Sequence, residues 1–251
     1  MTPRLRLSVV VVTRNEEERL RACLEAVVWA DEIVVVDAES EDKTVAIAQE
    51  FTDRVVVRPW PGYAAQKNAA LDLASGDWVL SLDADEVVSP ELRAEIARVL
   101  ASDGPADGYT VPRRNIFWGR WARHGGLYPD RQLRLFRRGR GRFEARAVHE
   151  SVRVDGRVEP VDGHLEHRSY RDVSDFLTRA DRYSTLAADD AVAQGRRARV
   201  SDLLLRPLGR FLTMYVVRRG FLDGWRGFLL ATLYAYYVLI RSAKIWERTK
   251  G

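Results

Sequence analysis

The sequence predicts an α/β protein whose mostly parallel sheet is flanked by helices. Over the first hundred residues, short β-branched runs alternate with segments of helical apolar periodicity. These runs are apolar at every position, which is typical of parallel strands buried on both faces. A chain of 251 residues with 46% apolar and 30% charged residues can bury a full core. Its length fits one or two domains.

Each predicted strand in this first part of the chain is followed by a predicted helix. The strands are residues 7–12, 32–36, 54–57 and 78–82, and the helices are residues 20–27, 45–51, 64–73 and 89–100. Ser89 and Pro90 form a typical helix start. Ligands of such sheets bind beyond the carboxyl ends of the strands, so we expect the functional site in the segments that follow them.

The pattern changes after residue 107. Residues 108–170 contain shorter strands, such as Gly108–Val111 and Gln132–Phe136, together with many arginines, and they predict a mixed-sheet extension. Beyond Arg171 the pattern is helical, including Leu203–Val217 and Phe221–Trp246. We therefore predict one domain over 1–170, with halves 1–107 and 108–170, and a helical C-terminal extension over 171–251.

Charge is distributed unevenly along the chain. The net charge is +4, but residues from Arg196 onward carry 12 basic against three acidic residues, a net +9 that leaves −5 for the rest. A basic, apolar tail on an acidic body predicts contact with an anionic surface, most simply a membrane leaflet. The apolar stretch Gly227–Ile240 is shorter than the roughly 20 residues that span a bilayer. We therefore expect the tail to lie on the membrane surface or to pack against the body or a second copy.

Two further features concern the cellular compartment. The apolar run Leu7–Val12 leads into charged residues with no small-residue cleavage site, so it predicts a strand and not a signal peptide. A single cysteine, Cys23, excludes an internal disulfide framework and a cysteine-rich zinc site. Together with the basic tail, these features predict a cytoplasmic protein at the inner face of the cell membrane.

Polar residues follow three of the predicted strands. They are Thr13–Glu16 after the first strand, Asp37–Thr44 after the second, and Asp83–Glu86 after the fourth. Each of the first two groups could simply cap the following helix. Adjacent carboxylates repel one another, so the third group indicates a divalent cation or a solvated acidic turn. No Gly-x-Gly-x-x-Gly or Walker-type loop follows the first strand, which argues against dinucleotide and P-loop sites.

These motifs, in this order, resemble family 2 glycosyltransferases with the GT-A fold. The resemblance rests on Ser8–Glu16, Val35–Thr44, Gln66–Asn68 and Leu82–Glu86. Motifs of the second half resemble the lipopolysaccharide-core β-1,4-glucosyltransferase branch, namely Val111–Asn115, Gly125–Asp130, Arg134–Arg137 and Val148–Glu150. The resemblance covers nearly the whole chain.

The resemblance implies a metal-dependent inverting transferase. It would move a hexose, with glucose expected, from a nucleotide diphosphate sugar such as a UDP-hexose to a lipopolysaccharide-core or other lipid-linked acceptor. Residues 1–107 would bind the nucleotide sugar and residues 108–170 the acceptor. The implied donor-binding residues are Thr13, Arg14, Asn15, Glu16, Asp37, Ser40, Lys67, Asn68, Asp83 and Ala84, with Asp37 accepting from the base. On charge alone, Lys67 could equally be a solvated helix lysine.

The resemblance also implies the metal ligands and the base. Mn²⁺ or Mg²⁺ would be bound by Asp83, Asp85 and a histidine, for which His167 is favoured over His164. Glu150 is the expected base, with Asp130 second; the alternative for both is an ion pair with Arg131, Arg134 or Arg146.

Arginines and aromatic residues alternate in the second half. The arginines are residues 113, 114, 120, 123, 131, 134, 137, 138, 140, 142 and 146, with Phe117, Trp118, Trp121 and Tyr128 among them. This pattern suits an anionic glycolipid acceptor. Nucleic acid would bind similar residues, but the acidic body and the donor motifs argue against it.

Two alternative functions are a sugar nucleotidyltransferase and a non-catalytic, basic membrane-surface protein. A nucleotidyltransferase would normally carry a glycine-rich basic loop after the first strand, and Thr13–Glu16 is not one.

Overall fold

The computed structural model describes residues 4–144 and 151–250. The chain divides into two compact units. The first comprises residues up to Arg113 together with Asp130–His167, and the second comprises Arg114–Pro129 together with residues from Arg168 onward. The segment 114–129 thus belongs with the C-terminal helices, although it lies inside the predicted domain 1–170.

The first unit is built on four parallel strands in the order β3-β2-β1-β4. These strands are β1 (Leu7–Thr13), β2 (Glu32–Asp37), β3 (Val55–Val57) and β4 (Trp78–Asp83). In the register, Thr13 lies beside Asp37, and Val12 lies beside Asp83. The carboxyl ends of β1, β2 and β4 therefore meet at one edge, as the sequence predicts.

Helices cover both faces of this sheet, which confirms the predicted α/β fold class. They are α1 (Leu20–Glu25), α2 (Thr44–Gln49), α3 (Tyr63–Leu73) and α4 (Pro90–Ser102). Val9 and Val11 lie in one core cluster and Val10 in the other, so consecutive apolar residues are needed to fill both sides. Cys23 is fully buried in the first cluster, and burial raises the pKa of its thiol well above the ordinary value. It is therefore a core residue.

Antiparallel strands make the sheet mixed. The strands after β4 are β5 (Glu86–Val88), β6 (Gly108–Phe117), β7 (Arg120–Trp121), β8 (Asp130–Arg137), β9 (Gly141–Glu144), β10 (Ser151–Val154), β11 (Val158–Pro160) and β12 (Leu165–His167). Among them, β8 pairs antiparallel with β4 and β6, whereas β11 pairs parallel with β6. The described strands follow the order β3-β2-β1-β4-β8-β6-β12-β5, while β9 and β10 pair separately. The predicted strand ends at Val111, but β6 continues to Phe117. It continues because Arg113, which interrupts the apolar pattern, lies opposite Asp130 in β8.

The second unit is mainly helical. It contains α5 (Val173–Ala193), α6 (Asp202–Leu212), a π-helical segment (Thr213–Val217), a 3₁₀ turn (Gly220–Asp223) and α7 (Gly224–Thr249). α5 packs against α7 through Ala188, Ala191 and Ile245. α6, in contrast, buries none of its residues within the described chain.

The C-terminal helix α7 covers Gly224–Thr249, close to the predicted helical segment Phe221–Trp246. Within the described residues, Gly220–Thr249 is long and apolar enough to cross a membrane by length and composition, and an 18-residue window of it has a mean hydropathy of 1.3. The prediction that this segment is too short was wrong, because it counted only the uninterrupted apolar run. However, Lys244 of α7 contacts Asp181 of α5 at 2.6 Å, as expected of a helix that packs against its own protein.

Candidate functional site

The loops after β1 and β2 are joined by hydrogen bonds at the carboxyl edge of the sheet. The Asn15 backbone N–H donates to Ser40 Oγ at 2.8 Å, and the Glu41 N–H donates to Asn15 Oδ1 at 2.9 Å. The Glu16 N–H donates to Thr44 Oγ1 at 2.8 Å. The N-cap residues of α1 and α2 make no side-chain capping bond, but Asp42 Oδ1 accepts from the N–H of Thr44, the first residue of α2, at 2.9 Å. Asp42 thus caps α2 as the alternative expected, whereas Asn15, Ser40 and Thr44 join the two loops. They shape one composite loop.

Asp37 lies at the floor of this loop. Its carboxylate is fully buried and accepts from the Ser40 N–H at 2.7 Å and from the Ser40 hydroxyl at 2.5 Å. Beside it on β1, Thr13 Oγ1 is buried and has no hydrogen-bond partner among the described residues. Arg14 is exposed. The proposed contact between Asp37 and a nucleoside base stays a prediction.

Asp83 ends β4 and lies between two cations. Lys67 Nζ is 2.7 Å from Asp83 Oδ1, and the Arg134 guanidinium contacts Asp83 Oδ2. Burial disfavours the charged carboxylate, but Arg134 and Lys67 outweigh it and hold the pKa of Asp83 well below its ordinary value. Lys67 is only 5% exposed, so the alternative of a solvated helix lysine is wrong.

The same arginine also contacts Glu86, which no solvent reaches. Arg134 Nη2 lies 2.6 Å from Glu86 Oε1, and Glu86 Oε2 accepts from the Asp83 N–H at 3.0 Å. Arg113 Nη1 lies 3.4 Å from Glu86 Oε1. Glu86 is therefore a structural anchor for the Asp83 turn, although the sequence groups it with the carboxylates that could face a cation.

Asp85 lies beside His167, one of the two histidines that the resemblance left in competition. Asp85 Oδ2 is 3.5 Å from His167 Nε2 and 3.6 Å from Arg19 Nη1. Burial opposes ionisation of Asp85, but His167 and Arg19 lower the pKa of its carboxyl. The His164 backbone N–H donates to Ser89 Oγ at 3.3 Å, at the start of α4.

A divalent cation fits this corner of the site. Within residues 4–144 and 151–250, no three His, Cys, Asp or Glu side chains converge as a metal-binding group. Asp85 and His167 nevertheless offer an oxygen and a nitrogen donor. Cations at nucleotide phosphates commonly use only one or two protein carboxylates and complete their shell with phosphate and water. Asp83 stays a predicted ligand whose charge Lys67 and Arg134 already compensate.

Two predicted residues make other contacts. The Asn68 amide donates to the Phe143 carbonyl and accepts from the Phe143 N–H, both at 2.9 Å, and so ties α3 to β9. Asp130 accepts from Arg113 Nε at 2.9 Å and from Gln132 Nε2 at 2.7 Å. Arg113 thus pairs with Asp130, although it was not among the three arginines expected. Glu150, with Arg146 and His149, lies outside the described residues.

Some of the residues that build this site escaped sequence reasoning. Arg19 lies 3.8 Å from Glu16 and joins the first loop to Asp85. Arg134 was grouped with a basic surface, yet it is 5% exposed. Its position inside the apolar run Leu133–Phe136 was the sequence feature that indicated burial of Arg134. Gln66 is fully buried, and its amide has no hydrogen-bond partner within the described chain.

The arginines predicted to form one basic surface are divided between the two units. Arg113, Arg134 and Arg137 form ion pairs within the first unit. Residues 114, 120 and 123 belong to the second unit.

Known proteins are similar to this chain in sequence. The sequence matches the family model described as Glycosyl transferase family 2 over residues 8–153. It is 35% identical to the lipopolysaccharide core biosynthesis glycosyltransferase LpsC of Rhizobium meliloti strain 1021, over 99% of this chain and 94% of that protein. It is 31% identical to an uncharacterized glycosyltransferase of Rickettsia typhi, over 96% and 87% of the two chains. TarS 1–349 of S. aureus in complex with UDP-GlcNAc matches with a TM-score of 0.49 and 16% identity, over 98% of this chain and 92% of that one.

Proposed function

Because the chain belongs to glycosyl transferase family 2, we propose that it is a metal-dependent inverting hexosyltransferase. The proposed donor is a nucleotide diphosphate sugar, with UDP-glucose expected, and the proposed acceptor is a lipopolysaccharide-core or other lipid-linked glycan. Family membership makes the chain an enzyme, so neither a nucleotidyltransferase nor a non-catalytic surface protein is retained. The observation that carries the proposal is the approach of Asp85 to His167 at the carboxyl edge of the sheet.

The donor would lie along this edge. The loop tied by Asn15 and Ser40, with Thr13 and Asp37 beneath it, would hold the nucleoside. The unpartnered Thr13 hydroxyl supports this placement, because a buried polar group without a partner costs free energy that a ligand can relieve. Gln66, whose buried amide is likewise unpartnered, is a further candidate contact.

Asp85 and His167 would hold the cation. When bound, Mn²⁺ or Mg²⁺ supplies positive charge to the diphosphate as the nucleotide leaves. Lys67 and Arg134 would keep Asp83 ionised and fixed beside this position, since their charges offset its burial. The protein thereby orients its ligands before the donor arrives.

Inversion at the anomeric carbon needs a base on the acceptor side. Glu150 would accept the proton of the acceptor hydroxyl. The hydroxyl oxygen would bond to the anomeric carbon as the bond from that carbon to the diphosphate breaks, and the diphosphate would leave with the electron pair of that bond. Asp130 ranks second because Arg113 and Gln132 already occupy its oxygens.

The Glu150→Gln variant tests this assignment. We expect it to lower transfer of radiolabelled glucose from UDP-glucose to core-truncated lipopolysaccharide by roughly 100-fold or more, since the amide cannot accept the proton. The matched variant Asp130→Asn should retain more activity. If Asp130→Asn is inactive while Glu150→Gln keeps wild-type activity, Asp130 is the base.

We also propose that the second unit attaches to the inner face of the cell membrane through α6. Leu204, Leu208 and Leu212 recur every four residues and form one apolar stripe, with Leu205 beside it. Leu204, Leu205 and Leu208 are 73%, 66% and 56% exposed. Such a helix suits the headgroup region of a bilayer, with its apolar face inserted.

Exposed leucines can be changed without disturbing the fold. Replacing Leu204, Leu205 and Leu208 together by glutamine should reduce binding to phosphatidylglycerol vesicles at least about tenfold, because buried apolar area is lost. Unfolding free energy should change little, since these side chains contact mainly solvent. The matched control replaces the exposed Val28, Val57 and Val158 of the first unit. Equal vesicle binding by both triple variants would contradict attachment through α6.

A further inference from the structure

A cavity of about 650 Å³ opens within the second unit. Its walls come from two segments, Phe117–Arg123 around the β6–β7 turn and Leu222–Arg226 at the start of α7. All of these residues belong to the second unit, whereas the donor-site residues described above belong to the first. Arg120, Trp121 and Arg123 belong to the pattern expected to suit the acceptor, but the bond-making step proposed above names no residue of this cavity.

Three arginines line the cavity without carboxylate partners. Arg120, Arg123 and Arg226 contribute to its walls, and none forms an ion pair with another described residue. Arg123 stacks over Trp121 at 4.4 Å from the ring centre, and Arg226 over Trp225 at 4.6 Å. This stacking leaves the planar guanidinium donors free for an oxyanion.

Two buried donor atoms in the same walls are also unpartnered. The Nε of Arg226 and the indole Nε1 of Trp121 are buried and make no hydrogen bond within the described residues. A buried donor without an acceptor is unfavourable, so both atoms favour a ligand that brings acceptor oxygens.

The single carboxylate in the cavity wall is already engaged. Asp223 accepts from the His124 backbone N–H at 2.9 Å, and its second oxygen lies 2.7 Å from His124 Nδ1. Although Asp223 occupies the N-cap position of α7, it makes no side-chain capping bond to that helix. The positive end of the α7 dipole at Gly224–Arg226 therefore adds to the attraction for an anion.

The border of the cavity is apolar. Leu222 is 55% exposed, Trp225 is 63% exposed, and the adjacent Phe221 is 47% exposed. A free phosphate would use the arginines but not these side chains. A phosphate joined to acyl chains would use both, because aromatic and leucine side chains favour the boundary between headgroups and hydrocarbon.

We propose that this cavity binds the phosphate headgroup of an anionic membrane lipid. The site thus gives the second unit a specific lipid contact in addition to the general apolar contact of α6. This inference rests on the proposed membrane attachment and not on the transfer chemistry.

The test compares two variants that lose the same charge. One replaces Arg120, Arg123 and Arg226 by glutamine. The control replaces Arg182, Arg196 and Arg197, which lie outside the cavity walls in the same unit. Each protein is sedimented with vesicles of phosphatidylcholine containing phosphatidylglycerol, in the presence and absence of millimolar inorganic phosphate.

We expect the cavity variant to bind these vesicles at least tenfold more weakly than wild type, and the control variant less than threefold more weakly. Inorganic phosphate should not release the wild-type protein. Equal losses in both variants, or release by phosphate, would overturn the headgroup site while leaving membrane attachment intact. If wild type does not bind vesicles, the attachment itself fails. Should the triple variant not fold, Arg120→Gln, which changes an exposed side chain, should weaken binding about threefold.

Discussion

Replacing Asp85 by alanine will lower the rate of sugar transfer roughly 1000-fold, which corresponds to about 4 kcal/mol of transition-state stabilisation. Asp85 lies in the acidic turn Asp83–Glu86, 3.5 Å from His167 Nε2 and 3.6 Å from Arg19 Nη1. Its loss removes the oxygen donor proposed to hold the cation against the leaving diphosphate. The measurement is the single-turnover rate at saturating donor and Mn²⁺.

The matched control for this prediction is Asp155→Ala. The Asp155 side chain is 92% exposed and contacts only Arg140, at 3.6 Å, among the described ion pairs. The Asp155→Ala enzyme should transfer sugar at the wild-type rate. An Asp85→Ala enzyme within threefold of wild type would remove Asp85 from the mechanism.

Replacing Arg134 by glutamine will lower the free energy of unfolding by about 3–5 kcal/mol. Arg134 is 5% exposed and contacts both Asp83 and Glu86. Removing it leaves Glu86, which is fully buried, with Arg113 at 3.4 Å as its remaining described ion-pair partner. Urea unfolding measures the loss. Arg140→Gln is the control, because its pair with Asp155 is exposed and contributes little.

A second substitution tests whether Arg134→Gln loses stability through uncompensated charge or through lost packing. If the cost of Arg134→Gln comes from uncompensated carboxylates, then adding Glu86→Gln should restore part of the stability, and the two changes will not be additive. A loss below 1 kcal/mol in Arg134→Gln, or full additivity, would show that the buried ion pairs do not hold this turn.

The pH dependence of unfolding follows from the same ion pairs. The pKa of Asp83 is lower in the folded state than in the unfolded state. The contribution of Asp83 to stability is therefore complete above its pKa in the unfolded state, about 4. This contribution is lost as the pH falls towards the pKa of Asp83 in the folded state. Removing Arg134 raises the folded pKa of Asp83, and the Arg134→Gln variant should therefore unfold at a higher pH than wild type on acid titration.

The parallel half of the fold could be predicted from the sequence because its strands must be apolar on both faces. Val9, Val10 and Val11 fill opposite core clusters in turn, as a strand covered on both faces requires. The polar segments after these strands then had to meet at one edge. The loops that contain Asn15 and Asp83 were identified for this reason.

Charges that pair across the sheet could not be predicted in the same way. Arg113 and Arg134 are ordinary surface residues by composition, but their partners lie on other strands, and sequence order does not reveal such pairs. The end of β6 was missed for this reason, as was the anchoring role of Glu86. The apolar stretch of α7 was counted as too short because Arg241 ends the uninterrupted run at Ile240, whereas the helix itself continues to Thr249.

The central claim is that a nucleotide and a divalent cation bind together at the edge formed by β1, β2 and β4. Thermal unfolding with UDP, GDP and their glucose derivatives, each with and without Mn²⁺, tests it most directly. A ligand at one hundred times its Kd stabilises the native state by about 2.7 kcal/mol, which raises the Tm by roughly 5–10 °C for a chain of this size. We predict such a rise with one nucleotide, dependent on Mn²⁺ and lost in Asp85→Ala. No rise with any nucleotide at saturating concentration, or an equal rise in Asp85→Ala, would contradict the proposed donor site.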